Sequence, residues 1–199
     1  MARPKRNLGE KNALERIEDA FWEMLSNGSY SKITISSLAQ HSKVNHNTIY
    51  YHFENIDDMA IKLFNKNLDK DFPTRVFSSF TTNGSISSDL SSDVEFRNRF
   101  ARIQLFAQSD SIFLTSRFKQ FILEAWLIAF NIPQKNLSTE NKLFLDFFFS
   151  GLTAVIGNPL VAENPNMLAT VLNNNIVKEL LSYLTDLSKK ATSYSRKEL

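Results

Sequence analysis

The side chains best suited to recognition chemistry lie in one stretch, HNTIYYH, from His46 to His52. All of its residues except the isoleucine can donate or accept hydrogen bonds. His46 and Asn47 could meet base edges, while Thr48 and Tyr50 suit phosphate oxygens. Solvent could satisfy the same polar groups on a short helix. The stretch therefore indicates a hydrogen-bonding surface, for nucleic acid or merely for water.

Catalysis and metal binding find little support in the sequence. The absence of cysteine excludes a disulfide, a thiol nucleophile and a Cys-ligated metal. The three histidines, His41, His46 and His52, fall in one short segment, and no His-Glu-x-x-His motif, Gly-rich phosphate loop or Ser-His-Asp set is evident. Asp57 and Asp58 are explained as charges in the first turn of a helix. We expect no enzymatic activity, no metal and no cofactor.

Two short helices must position the polar stretch. Thr34 can cap the first, in which Ile35, Leu38 and Ala39 recur at i, i+3 and i+4. The pattern is interrupted at residues 41–43, and Asn45 can cap the second.

The second helix has an apolar stripe of its own. Ile49 and Phe53 repeat at i and i+4, and Val44 is placed to pack on Ile49 as a hydrophobic staple. Two helices of about two turns each, joined by a turn of three or four residues, form a helix-turn-helix. The second helix is short enough to sit in a DNA major groove.

Residues 28–59 resemble the DNA-binding domain of TetR-family transcriptional regulators. The family pattern is roughly Gly-aromatic, a Thr-capped helix ending in Ala, a Gly-Val-Ser turn, then Thr-x-Tyr-x-His-Phe before an acidic helix start. Lys43 departs from it, standing where Gly is usual, and a positive φ there would cost ~1 kcal/mol. Ile56 also departs, replacing a commonly basic residue that touches phosphate. The matching residues are Gly28, Tyr30, Thr34, Ile35, Leu38, Ala39, Val44, Asn45, Thr48, Tyr50, His52, Phe53, Asn55, Asp57, Asp58 and Met59.

The resemblance implies a DNA-contacting surface built around the second helix. Thr34 could equally be only a cap, and the Tyr50 ring could pack on the headpiece with its hydroxyl alone reaching DNA. The basic arm of Arg3, Lys5 and Arg6 could touch phosphates or the minor groove, or be a solvated tail. The predicted DNA-binding residues are Lys32, Thr34, Lys43, Asn45, His46, Asn47, Thr48, Tyr50, Tyr51 and His52.

The chain as a whole is predicted to be all-α, because no alternation with a period of two residues persists. We expect a three-helix helix-turn-helix domain at residues 1–54 and a C-terminal helical bundle at 55–199, forming the dimer and a possible ligand pocket. Pro73 should end or kink the fourth helix, and residues 81–92 read as a loop. Outside the motif, helices are predicted at residues 11–27, 55–72, 93–108, 111–130, 139–157 and 165–187.

Helix 139–157 is apolar nearly all round, so it needs partners on two sides. Pairing it and the last helix with their symmetry mates would give a four-helix bundle, with Gly151 allowing close approach. The predicted dimer-interface residues are Phe144, Phe148, Gly151, Leu152, Val155, Leu172, Ile176 and Leu180.

The Phe-rich core could hold a small effector, as the resemblance implies, or simply pack. For any single phenylalanine, packing is the commoner explanation of an apolar stripe at helical spacing. The predicted ligand-binding residues are Phe100, Gln104, Arg117, Phe121, Trp126 and Phe148.

The first residues are polar and basic, so they do not form a signal peptide. The longest apolar run, residues 147–156, is too short to cross a bilayer. The expected protein is therefore cytoplasmic, without a membrane partner. By resemblance it is a homodimeric regulator that binds a palindromic operator and is released by a small ligand. The alternative is a helical dimeric protein-interaction module in which DNA binding is weak or lost.

Overall fold

The computed structural model describes residues 11–67 and 94–195, and all regular structure within those ranges is helical, as predicted. The chain divides into two compact units, Met1–Lys66 and Asn67–Leu199. Short 3₁₀ helices at Tyr30–Lys32 and Gln134–Asn136 join longer elements. The α-helices are α1 Ala13–Asn27, α2 Ile35–Ser42, α3 His46–His52, α4 Ile56–Asn67, α5 Val94–Gln108, α6 Ile112–Ala129, α7 Thr139–Ile156, α8 Pro159–Glu163, α9 Pro165–Leu172 and α10 Asn175–Ser195.

Helix α1 supplies the base on which the helix-turn-helix rests. Asn12 caps it, accepting a hydrogen bond from the Glu15 backbone N–H, while the Glu15 side chain accepts one from the Asn12 N–H. This reciprocal box satisfies two backbone donors that a helix start leaves unpaired. Ile17 and Phe21 are fully buried on its inner face. The helix ends at Asn27, where the prediction for residues 11–27 placed its end, and Gly28 follows as its C-cap.

Both predicted caps of the motif are present. The Thr34 hydroxyl accepts from the Ser37 backbone N–H at 3.0 Å, and the Asn45 side chain accepts from the Asn47 N–H at 2.9 Å. Val44 and Ile49, the predicted staple pair, are both buried. The local signals of the sequence therefore set both helix starts.

Helix α4 packs with the headpiece, so the boundary between the units follows Lys66 rather than residue 54. Met59, Leu63 and Phe64 are buried on its inner face, and Lys66 reaches Glu18 of α1 at 2.6 Å. The predicted continuation of this helix to residue 72, its end or kink at Pro73 and the loop at 81–92 lie outside the described residues.

The second unit is built on α5, α6 and α7. Leu114 and Phe118 of α6 and Leu145 and Phe149 of α7 are buried in its core. The ends of α5 and α7 approach so closely that a Cβ on Gly157 would overlap the Ala107 carbonyl. Glycine is therefore required where these two helices meet.

The last predicted helix is divided into two, which corrects the single helix expected at 165–187. Helix α9 ends at Leu172, and α10 begins at Asn175. The Asn174 side chain accepts from the Ile176 backbone N–H at 3.0 Å, which starts a new helix. The run of asparagines at 173–175 is the reason, because asparagine competes for backbone hydrogen bonds. A further helix, α8, was also missed: Asn158 caps it and Pro159 occupies its first turn.

Candidate nucleic-acid interface

Helix α3 presents one buried residue and a broad polar surface. Ile49 is fully buried against the headpiece, while His46 and Asn47 are exposed. Tyr50 is 57% exposed and Tyr51 is 84% exposed. A tyrosine side chain whose only role is packing is seldom this exposed to solvent. The face therefore combines hydrogen-bonding groups with apolar surface, as base edges and sugars require.

Two of the predicted DNA-contact residues use their side chains in hydrogen bonds that cap helices. Asn45 uses its side-chain oxygen as the α3 cap, which leaves its amide N–H groups as donors. Thr34 exchanges hydrogen bonds with Ser37 through both side chain and backbone. Thr34 thus has the capping role that was weighed against DNA contact. His52 is half-buried, with its ring 5.0 Å from that of Tyr51, so it borders the exposed face.

The turn between the two helices has the geometry that the sequence indicated. Lys43 has φ 55° and ψ 40°, a left-handed conformation that glycine adopts more easily. Its carbonyl accepts a 3.4 Å hydrogen bond from the guanidinium of Arg16 on α1. The strained turn is thereby tied to the headpiece base, and the Lys43 side chain remains exposed.

A lysine that sequence reasoning missed joins α3 to α4. Lys62 Nζ donates to the His52 carbonyl at 3.2 Å and to Asp58 at 2.8 Å, and it lies 5.6 Å from the centre of the Phe53 ring. The His52 carbonyl is at the last turn of α3, where helix carbonyls have no partner of their own and favour a cation. The only sequence signal was the i, i+4 spacing of Asp58 and Lys62.

Asp58 completes this junction. Its carboxylate accepts from Lys62 and from the Glu54 backbone N–H at 3.0 Å, and these hydrogen bonds lower the Asp58 pKa. The Asp58 N–H in turn donates to the Asn55 side chain at 2.8 Å. The start of α4 is therefore held close to the end of α3 by a continuous set of hydrogen bonds.

Tyr30 forms a second link between α4 and the rest of the headpiece. Its hydroxyl donates to Asp57 at 2.6 Å, and the ring is buried. Burial first, and then the hydrogen bond to the neighbouring carboxylate, raise the pKa of Tyr30 well above its ordinary value. The phenol therefore keeps its proton and remains a donor throughout the physiological range.

Positive charge is supplied from beside α3 rather than from α3 itself. The helix contains neither lysine nor arginine, whereas Lys32 and Lys43 are exposed on the segments that flank α2. Exposed lysines on the flanks suit phosphate oxygens, and neutral hydrogen-bonding side chains on α3 suit base edges. The predicted arm at Arg3, Lys5 and Arg6 lies outside the described residues.

The predicted ligand-binding residues differ in burial and in their contacts. Gln104 is buried, and its amide donates to the Ile156 carbonyl at 2.7 Å, which joins α5 to α7. Trp126 is buried with its ring edge toward Phe149, and Arg117 is exposed. Phe100, Phe121 and Phe148 are half-buried.

The structure does contain a cavity of about 290 Å³ between α5, α6 and α7. None of the six residues predicted to bind a ligand lines it. Its walls are formed by small or hydroxylated side chains and one lysine: Ala107, Thr115, Ser116, Lys119, Ser150, Thr153 and Ala154.

The predicted dimer residues divide into two groups. Leu152, Leu172 and Leu180 are buried within their own chain, so their side chains are not on the surface available to a partner. The other five are exposed or half-buried: Phe144, Phe148, Gly151, Val155 and Ile176. Leu143 and Phe147, which the sequence reasoning left out of the interface, are among the most exposed apolar side chains. Helical phase read from sequence alone did not show which side of α7 the core would cover.

Between residues 11–67 and 94–195, no His, Asp and Glu side chains form a group of three or more that could hold a metal ion. In the same ranges, no helix is long and apolar enough to cross a membrane.

Comparison with known proteins gives limited information. No family model matches the chain, and no curated protein matches it. Among solved structures, it is similar to the TetR family repressor AlkX from Dietzia sp. strain DQ12-45-1b, implicated in n-alkane biodegradation, with 17% identity, a TM-score of 0.40, and coverage of 87% of this chain and 95% of that one. A second is the dihydroxyacetone kinase operon activator DhaS, with 20% identity, a TM-score of 0.41, and coverage of 86% and 96%. Similarity at this level carries no argument about function. The functional argument depends on the helix-turn-helix itself.

Proposed function

We propose that this chain is a sequence-specific DNA-binding transcriptional regulator. The observation that carries the proposal is the exposed face of α3, which bears His46, Asn47, Tyr50 and Tyr51 on a helix anchored by one buried isoleucine. The helix enters the major groove, and the neutral side chains of this face meet base edges. Lys32 and Lys43 contact phosphates on either side.

The regulator acts as a cytoplasmic homodimer on a palindromic operator. Two copies of one recognition helix require two equivalent half-sites, about one DNA turn apart or a multiple of it. We further propose that it is a repressor released by a small-molecule ligand bound in the second unit. The exposed apolar face of α7 supports self-association, because an isolated chain would leave that face in water.

The test is selection of bound fragments from random duplex DNA. The expected result is an enriched palindrome with half-sites centred roughly 10–10.5 base pairs apart, or a multiple of that spacing. The matched control is the double variant Asn47→Ala and Tyr51→Ala, whose positions are both exposed, so that folding should persist. The control should lose the enrichment. Absence of any enriched sequence for the wild type would contradict the proposal.

A second candidate is a dimeric protein-interaction module with weak or lost DNA binding. The absence of any cation on α3 and the 84% exposure of Tyr51 favour it, because an exposed aromatic residue can also anchor a protein interface. A dimer in sedimentation that enriches no DNA would favour this second function over the first.

A further inference from the structure

Helix α7 leaves a contiguous apolar face uncovered in the protomer. Leu143 is 67% exposed and Phe147 is 78% exposed, and Phe144 lies beside them at 42%. These three side chains offer on the order of 300–400 Å² of apolar surface, comparable to the largest patch of a typical monomer. No charged residue occurs from 147 to 162, so the C-terminal part of this face presents no like charges to a second copy of itself.

The size of the side chains changes along this face. Its N-terminal half carries Leu143, Phe144 and Phe147, while its C-terminal half carries Ser150, Gly151 and Ala154, all exposed. A helix that is bulky at one end and slender at the other is complementary to itself only when the second copy runs antiparallel. Around a twofold axis beside Ser150 and Gly151, Phe147 of each copy would lie opposite Ala154 of the other.

Gly151 is not required by the packing of the described residues. A Cβ built there would meet no atom of the described chain within 4 Å. Glycine in a helix interior is unfavourable relative to alanine, and here the protomer gives no steric reason for it. At Gly157, in contrast, a Cβ would overlap the Ala107 carbonyl. The small side of α7 at residue 151 therefore leaves space for a second helix to approach closely.

The cavity beside the slender half has the size and chemistry to receive an aromatic ring. Its volume of about 290 Å³ exceeds the ~150 Å³ that accommodates benzene in an engineered protein cavity. Two of its hydroxyl groups donate within their own helix, Ser150 to the Asp146 carbonyl at 2.7 Å and Thr153 to the Phe149 carbonyl at 2.8 Å. Lys119 is paired with Asp146 at 2.6 Å. A ring could therefore enter without leaving these donors unpaired.

We infer that two copies of this chain pair through antiparallel α7 helices, with Phe147 of each copy inserted beside Ala154 and Ser150 into the cavity of the other. The inference rests on the dimer of the proposed function and specifies its register. The cavity would then be filled by the partner chain and would not be a site for a small ligand.

Cysteine cross-linking can test the register directly, because the natural chain contains no thiol. Chains carrying Phe147→Cys and Ala154→Cys are co-expressed with different tags, oxidised mildly and separated without reductant. The mixed pair should form a disulfide at least tenfold faster than either variant with itself. Gly151→Cys, close to the axis, should link to itself. Ile128→Cys on α6, 79% exposed and as accessible as Phe147, is the control partner for Ala154→Cys and should remain unlinked.

A size exchange provides a second readout without a covalent bond. Phe147→Ala alone and Ala154→Phe alone should each weaken the dimer at least tenfold in sedimentation, whereas the two together should recover most of the affinity, because bulk and space have merely changed places. Fastest linkage of Phe147→Cys to itself, or equal linkage of Ile128→Cys, would overturn the register. A wild-type dimer that gives neither the mixed link nor the recovery would overturn it while leaving the proposed dimer intact. A wild-type monomer would overturn both, and fragment selection would then decide separately whether the chain binds DNA.

Discussion

Asn47 and Thr48 are neighbours on α3 but differ in exposure. Asn47 is exposed and points away from the headpiece core, whereas Thr48 is half-buried. An amide can make two hydrogen bonds to adenine in the major groove, while a hydroxyl beside the protein surface is better placed for the DNA backbone. The two residues should therefore contribute differently to specificity.

The first prediction follows from this difference. Asn47→Ala should reduce the discrimination between operator and random DNA by about 1–3 kcal/mol, the range for a good base contact. Thr48→Ala should weaken binding to both DNAs by similar factors. Competition binding at fixed salt measures the two ratios, with circular dichroism as the control for folding. If both variants bind both DNAs like the wild type, the assignment of α3 as the reading helix is wrong.

Tyr30 carries the second residue-scale prediction. Tyr30→Phe removes the hydrogen bond to Asp57 and should lower the free energy of unfolding by about 1–2 kcal/mol. The raised pKa of Tyr30 also makes its contribution to the free energy of unfolding depend on pH. The unfolded tyrosine loses its proton near pH 10, but the native one keeps it, so this contribution is complete below about pH 10 and falls as the pH rises further.

Chemical denaturation between neutral pH and pH 11 checks both effects of Tyr30→Phe. The variant should be less stable at neutral pH and should lose stability less steeply above pH 10. Tyr50→Phe on the exposed face of α3 is the control and should leave neutral stability unchanged. Identical alkaline slopes for wild type and Tyr30→Phe would count against a buried, hydrogen-bonded phenol.

At the scale of elements, α4 is fastened to the headpiece at three places along its length. Tyr30 holds Asp57 at its start, Lys62 holds the end of α3, and Lys66 holds Glu18 of α1. Lys62 and Lys66 have the same charge and sit one turn apart, but only Lys62 touches α3 in the contacts described. Comparing variants of these two lysines can therefore separate an effect on the position of the recognition helix from an effect on the general stability of the headpiece.

We therefore expect Lys62→Gln to weaken operator binding by about 2- to 5-fold more than Lys66→Gln, the range for a cation at a helix C-terminus. Each variant loses one positive charge, so their binding to random DNA should remain alike. Titration of both variants against operator and random duplexes gives the comparison. Equal losses on the operator would show that Lys62 acts only through its charge.

At the scale of the whole molecule, regulation requires that ligand state change the affinity for DNA. Helix α4 follows the recognition helix almost directly, so we predict that it transmits the change. Pro73 follows its last described residue by six positions in the sequence and lies outside the described residues. A ligand that prefers the released state a hundredfold supplies ~2.7 kcal/mol of coupling.

The experiment begins with a ligand found by thermal-shift screening and titrated into the protein–operator complex. Operator affinity should fall as the ligand saturates, and Pro73→Ala should alter this coupling while leaving ligand affinity largely unchanged. A ligand that binds the wild type but never changes operator affinity would contradict the coupling. The chain would then be a regulator controlled only by its own abundance.

The sequence alone determined the features that depend on neighbouring residues. The caps at Thr34 and Asn45 form within three residues of the donors they satisfy, so they were readable without a fold. The left-handed turn at Lys43 was indicated only by the family resemblance, in which glycine is usual at that position. The asparagine run at 173–175 carried an equally local signal for the break between α9 and α10. The prediction of one helix at 165–187 followed the spacing of the apolar residues around that run instead.

Tertiary structure decided the features that join distant segments. The Lys62 bond to α3, the Gln104 bond to Ile156 and the tie between Lys66 and Glu18 depend on how helices pack, and no residue spacing encodes them. Packing likewise buried Leu152 and left Phe147 in water, although both occupy the same apolar helix. Periodicity shows that a helix has apolar residues, but only its neighbours determine which of them are covered, because burial is a property of the assembled surfaces.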